Sequence, residues 1–332
     1  MAFIRLDKKA YEHNLKLIAS KAGGFDKIIC VLKDNAYGHG VLQIAALAKE
    51  LGINFIALKN EDEAQSLKDL FANILILSHI PNGCENEDFI YALNSKENLH
   101  KYKKNTKLHI AVDTGMHRNG VFLEDLPLVF AEAKKLGLRI LGLFTHFANS
   151  DEIDSSFFVQ RQKFKKAKEL ASSLSTEKLC FHSHNSSALF RCLKLDEDEL
   201  CRVGLVQFGY SDFEASLKRV LSLYANKLSS RILRKNESLG YGLSFTAKKD
   251  MSIATYDLGY ADGLFRYSGI GELLLANKAP LLGRMSMDSF SCEDFGEELC
   301  VFDDARIWAK FFNTIEYEIL VKLNANIKRI LC

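Results

Sequence analysis

The sequence predicts a (β/α)8 barrel of the TIM type followed by a mostly β carboxy-terminal domain. From residue 27 to about 206, short apolar runs alternate with longer amphipathic segments, the rhythm of βα units around a parallel sheet. After about residue 222 the pattern changes to short β-rich runs separated by Gly and polar turns.

Taken in order, AFIRLD opens the chain as a strand-like run ahead of the first barrel unit, where it is available to pair with the β domain. Barrel strands are then expected at 27–33, 53–58, 73–77, 89–93, 107–112, 139–145, 178–182 and 201–206. The segments between them read as helices. VLQIAALAKELG (41–52), for example, repeats its apolar residues at three and four and stops at Gly52. Eight such units are what a closed barrel requires, although an open doubly wound sheet uses the same local pattern. The later runs ESLGYGLSF, GELLLANKAPLLGRMSMDSF and TIEYEILVKL read as strands and turns. The expected division is therefore a barrel over 8–222 and a β domain over 223–332, with residues 1–7 pairing with the latter.

Composition narrows the function. With 332 residues and 48% hydrophobic content, the chain can bury the cores of one large α/β domain and a smaller companion. Its 44 basic and 42 acidic residues leave a formal charge of +2 and no unbalanced basic block, which argues against a nucleic-acid partner. The opening MAFIRLDKKAYEHNLKLI mixes charged and apolar residues at short range, unlike a secretory signal, and no apolar run approaches the roughly 20 residues of a membrane span. A cytoplasmic protein with no membrane association is expected. The eight cysteines show no C-x-x-C or Cys/His ligand spacing, so neither a metal site nor a disulfide framework is expected.

IICVLKDNAYGHG (28–40) places Lys33 at the end of a buried apolar strand, before a polar turn and a helix. In a barrel that position opens onto the catalytic face, where a lysine can condense with a carbonyl cofactor. An isolated strand-end lysine is ordinarily a snorkelling surface residue, and Lys33 is distinguished only by its company. DLGYADGLFR (257–266) would alone be a β-turn with a packed tyrosine. CFHSHNSSALF (180–190) and CRVGLVQFG (201–209) are strand-to-loop junctions at which backbone amides and hydroxyls could meet an anion.

VLKDNAYGHG resembles the cofactor segment of the alanine racemase family, and the resemblance spans essentially the whole chain. It implies that Lys33 binds pyridoxal 5'-phosphate and acts as one of two proton-transferring bases, with Tyr260 as the other. Bases on opposite faces of a planar α-carbon are what racemisation needs. Also by resemblance, Tyr37, Asn185, Ser186, Gly204, Leu205 and Tyr317 contact or shape the phosphate site. Arg202 hydrogen-bonds the pyridine nitrogen, and His146 packs by the cofactor and links Tyr260 to Arg202. Arg118 orients substrate, and Met287 with Asp288 lies near the substrate carboxylate. An arginine does not readily surrender a proton, so Arg202 would leave the ring nitrogen unprotonated and disfavour transamination. The family's active unit is a homodimer in which Tyr260 would serve the lysine site of the other subunit.

The chain departs from the family pattern in places. Ala111 stands where many members have a lysine whose carbamylated side chain holds the arginine matching Arg118, so that arginine must be neutralised by an anion or another acid, or be left freer. His184 replaces a usually small apolar residue. The β domain is short, and the tail KLNANIKRILC lacks the usual basic-proline ending. The expected activity is interconversion of L- and D-alanine, supplying D-alanine for peptidoglycan. A broad-specificity or serine racemase is the nearest alternative. A decarboxylase suits Tyr260 and Arg202 less well, and a pyridoxal-phosphate carrier or homeostasis protein would lack residues 223–332.

Overall fold

The computed structural model describes residues 1–152, 154–192 and 194–332. The chain divides into two compact units, one of residues 12–34 and 44–218, the other of residues 1–11, 35–43 and 219–332. Strand β1 (Phe3–Leu6) belongs to the second.

The first unit is built on a closed barrel of eight parallel strands joined in sequence order. They are β2 (Ile28–Val31), β3 (Phe55–Leu58), β4 (Asn73–Ile76), β5 (Ile90–Leu93), β6 (Lys107–Ala111), β7 (Arg139–Phe144), β8 (Cys180–His184) and β9 (Glu199–Val203). β2 (IICV), β3 (FIAL) and β5 (IYAL) are buried at every position, as expected of strands covered on both faces. All eight runs anticipated from the sequence are strands, so the barrel reading holds and the open sheet does not. The last differs at both ends. It starts at Glu199, a charge that the sequence reading leaves in a loop but which Lys168 neutralises at 3.0 Å, and it stops before Gly204, where Leu205–Phe208 forms a 3-10 turn.

The second unit holds a six-stranded sheet. Its strands are β1, β10 (Leu221–Leu233), β13 (Met251–Tyr256), β14 (Phe290–Glu293), β15 (Glu298–Phe302) and β16 (Lys328–Leu331). A small hairpin, β11 (Ser238–Leu239) with β12 (Phe245–Thr246), lies apart from it. β1 runs antiparallel to β10 and parallel to β16. Along β10, Leu221, Leu223 and Ala225 are buried while the residues between are half-buried, the period-two pattern of a strand with one face on a core.

Two strand expectations are corrected here. TIEYEIL alternates as a strand would, yet Glu316–Val321 is a helix burying Ile319 and Leu320, with Leu323 buried just beyond. Spacings of one and four place these apolar residues on one helical face, a pattern that competes with period two over so short a run. Most of GELLLANKAPLLGRMSMDSF is irregular chain, with one isolated bridge inside it at Leu274–Pro280 and one to β14 at Leu282–Ser291. A further helix, Ala305–Phe311, buries Trp308, and the unit is mostly β, as expected.

Candidate active site

The candidate residues of the first unit gather at the carboxyl ends of the barrel strands, the catalytic face of this architecture. Lys33 lies two residues past β2 and Arg118 on the loop after β6. His146 lies two residues past β7, Asn185 and Ser186 directly after β8, and Gly204 and Leu205 directly after β9. Arg202 lies within β9.

The turn beginning at Lys33 is left-handed. Asp34, Asn35, Ala36 and Tyr37 all have φ between 51° and 56°. A left-handed residue costs about 1–2 kcal/mol, least for Asp and Asn, so the turn persists only because its neighbours hold it. Asn35 Oδ1 accepts from the Val41 amide at 2.8 Å, and the Gly40 amide donates to the Asn35 carbonyl at 3.0 Å. The carboxylate of Glu63 accepts from the amides of Asp34 at 2.8 Å and Lys59 at 2.9 Å. Glu63 was not among the sequence candidates. Its one signal is the Asn60-x-x-Glu63 pattern of a helix start, in which Asn60 caps the Glu63 amide while the carboxylate is diverted to the Lys33 turn.

Inside the barrel, Arg202 is 6% exposed and hydrogen-bonds no carboxylate among the described residues. It donates to Nδ1 of His182 at 2.8 Å and to the carbonyls of His182 and Thr145, and stacks over Phe144. Burial brings its pKa down to about 10. Because a guanidinium only donates, Nδ1 of His182 must accept, which puts that ring's proton on Nε2 and aims it at Nδ1 of His109, 2.8 Å away. Burial, then Arg202, hold His109 at about 3 and His182 well below its ordinary range, so both rings are neutral. These histidines were also missed; a histidine within an apolar strand, as in KLHIA and CFHSH, is their only sequence mark. His109, Cys180 and His182 converge within 4.8 Å, a metal-like spacing. The two rings are bonded to each other and a guanidinium stands beside them, so the set does not suit a cation.

His146 is held at about 3 by burial and then by the positive charges of Arg202, Arg118 and Lys33. Three cations therefore act on one neutral ring, and no acid is hydrogen-bonded to Arg118 or Arg202 among the described residues. Arg118 is exposed and Ala111 is buried. The loops after β8 and β9 are tied together, with the Gly204 amide donating to Ser186 Oγ at 3.1 Å. Asn185 caps helix Ser186–Arg191: its Oδ1 accepts from the Ala188 amide and the Ser150 hydroxyl, and its carbonyl accepts from the Leu189 amide.

In the second unit, Tyr37 and Tyr317 meet edge to face with ring centroids 5.8 Å apart. Gly38 makes this possible. Its φ is +80°, and a Cβ there would stand 2.0 Å from the Leu320 carbonyl oxygen on the helix bearing Tyr317. Tyr260 starts a 3-10 turn, 36% exposed, whose Ala261 amide donates to the Met287 carbonyl at 2.9 Å. Tyr260 and the exposed Met287 thus share one loop pair.

The geometry fits an anionic aromatic cofactor. The desolvated Arg202 suits a ring-nitrogen lone pair, and the excess of positive charge from Lys33, Arg118 and Arg202, with no acid hydrogen-bonded to either arginine among the described residues, suits a phosphate-bearing group.

Comparison with known proteins agrees over the full length. Residues 6–212 match the family model "Alanine racemase, N-terminal domain" and residues 220–331 match "Alanine racemase, C-terminal domain". A curated relative from Campylobacter jejuni, named alanine racemase, is 60% identical over 331 residues, covering 100% of each chain. One from Campylobacter curvus, with the same name, is 53% identical and covers 99% of each. The solved alanine racemase of Bacillus anthracis, described with bound L-Ala-P, superposes with a TM-score of 0.88 at 26% identity, covering 100% of this chain and 95% of that one. The chain belongs to the alanine racemase family.

Proposed function

We propose that this protein interconverts L- and D-alanine with pyridoxal 5'-phosphate held on Lys33, and so supplies D-alanine for peptidoglycan. The observation that carries the reading is the positive charge of Lys33, Arg118 and Arg202 acting on the neutral His146 at one end of the barrel, with no acid hydrogen-bonded to either arginine among the described residues. When bound, the cofactor supplies the electron sink that makes an α-proton removable. Arg202, held by His182 and Thr145, binds the ring nitrogen without giving it a proton. Ser186, Gly204, Leu205 and the Asn185 backbone, with Tyr37 and Tyr317, bind the phosphate. Arg118 and Met287 orient the substrate carboxylate. Lys33 moves the proton on one face of the α-carbon through its Nζ, and Tyr260 on the other through its hydroxyl.

The same reading makes the active unit a cytoplasmic homodimer in which Tyr260 of one copy serves Lys33 of the other, with a barrel over 8–222 and a β domain over 223–332. No helix among the described residues is long and apolar enough to cross a membrane. The test is D-alanine formation from L-alanine by the cofactor-loaded protein, abolished in Lys33→Ala, together with rates across a panel of L-amino acids. Absence of racemisation of any amino acid would overturn the reading, and a preference for serine or for bulky or basic substrates would replace its substrate.

A further inference from the structure

His184, the histidine that departs from the family pattern, has a definite setting. Its Nδ1 lies 3.0 Å from Ser183 Oγ and 3.3 Å from Glu199 Oε2, and the Ser183 hydroxyl donates to the same carboxylate. Lys168 fixes Glu199 from its other side, with Nζ 3.0 Å from Oε1. Burial alone would raise the Glu199 pKa, but the partners His184, Ser183 and Lys168 bring it down to about 2, so the ring is oriented by a carboxylate that stays ionised. The opposite nitrogen, Nε2, is buried and has no hydrogen-bond partner, in a residue only 1% exposed.

Cys192, at the end of helix Ser186–Arg191, shares Phe147 with that ring: Phe147 meets His184 edge to face with centroids 5.9 Å apart and packs with Cys192. The Cys192 sulfur also receives Nη1 of Arg161 at 3.6 Å, whose Nη2 reaches Asp196 at 3.5 Å. The thiol is 8% exposed and packs with Phe147, Phe157 and Ala188. A sulfur faced by a guanidinium and by an imidazole that a carboxylate orients is the arrangement that activates cysteine nucleophiles. Elsewhere in the chain, burial pushes the thiols of Cys180 and Cys300 up to about 11 and those of Cys201 and Cys292 up to about 12.

We propose that Cys192 is a modification site, a nucleophilic thiol with His184 as its base and Arg161 as its cation, open to hydroperoxides and soft electrophiles. With a hydroperoxide, His184 Nε2 takes the thiol proton and the sulfur attacks the terminal peroxide oxygen. An S–O bond forms and the O–O bond breaks. Sulfur is oxidised by two electrons to the sulfenic acid, and the departing alkoxide or hydroxide takes the proton back from His184 as an alcohol or water. The site is independent of the racemase assignment.

Limited alkylation of the full chain with iodoacetamide, read by peptide mass mapping, tests this. Cys192 is expected to react at least about tenfold faster than buried Cys201, and His184→Gln and Arg161→Gln are each expected to slow Cys192 by about tenfold. Continued protection of Cys201 reports that each variant is folded, and Arg161, on the protein's surface, decides the matter should His184→Gln unfold. With hydrogen peroxide and a sulfenic-acid trap, the adduct is expected on Cys192 and lost in Cys192→Ser. Reaction of Cys192 no faster than Cys201, or at a rate that neither folded variant changes, would overturn the proposal.

Discussion

Replacing Glu63 by alanine removes one hydrogen bond from the turn that starts at Lys33 and a second from the Lys59 amide just past β3. The carboxylate accepts from the Asp34 and Lys59 amides at 2.8 and 2.9 Å, and no other acceptor for the Asp34 amide is present among the described residues. In this partly exposed place each bond is worth about 1 kcal/mol, so the turn itself loses about 1 kcal/mol. Four consecutive left-handed residues store roughly 4–8 kcal/mol of backbone cost, with Asp34 and Asn35 at the low end, so the loss falls on a segment already inclined to open. The remaining Lys59–Asp34 ion pair is exposed and contributes little. Since 1.4 kcal/mol is a factor of ten, hydrogen exchange at the Asp34 amide should accelerate about fivefold in Glu63→Ala while the barrel strands keep their protection. Glu63→Gln retains one acceptor and should show about half the free-energy effect. Fixation of pyridoxal phosphate on Lys33 by borohydride should fall in parallel, because the lysine sits at the base of the loosened turn. Unchanged exchange at Asp34, or equal acceleration across the barrel, would refute the reasoning.

Other outcomes follow from the same geometry. His39, His109 and His146 are held at about 3 by burial. The unfolded chain therefore binds more protons than the folded one between about pH 6.5 and 3, and denaturant unfolding should show stability falling as pH drops through that window. Glu85 is shifted in the same direction. Burial would raise it, but His79 and the amides of Lys103 and Asn82 bring it from 4.5 down to about 2. Its contribution, about 3 kcal/mol, is fully present above pH 4.5 and lost towards pH 2. Glu85→Gln should accordingly lower stability at pH 7 and flatten the acid limb below pH 4.5. Gly38→Ala sets a Cβ 2.0 Å from the Leu320 carbonyl oxygen and forces a left-handed alanine, so it should part Tyr37 from Tyr317 and weaken reconstitution with pyridoxal phosphate in an absorbance titration.

The barrel was legible because each of its strands is a short run, mostly apolar and flanked by turns, and because eight of them in series permit closure. What the sequence hid was polar structure inside apolar context. Glu199 reads as loop until Lys168 and His184 neutralise it. His109 and His182 read as interruptions of strands until Arg202 explains them. Glu63 is inconspicuous because its partner amides lie 29 and 4 residues away in sequence and belong to backbone, which no motif encodes. Helix Glu316–Val321 was mistaken for a strand because six residues fit either period until the buried face is known. The left-handed turn, by contrast, leaves a trace in its Asp-Asn pair and in Gly38 and Gly40, residues that tolerate or favour positive φ.

Proton exchange in deuterated water tests the two-base account most directly. In cofactor-loaded Tyr260→Phe, α-proton exchange of L-alanine should be lost while exchange of D-alanine, carried by Lys33, persists. Equal loss on both enantiomers, or retention of both, would contradict it.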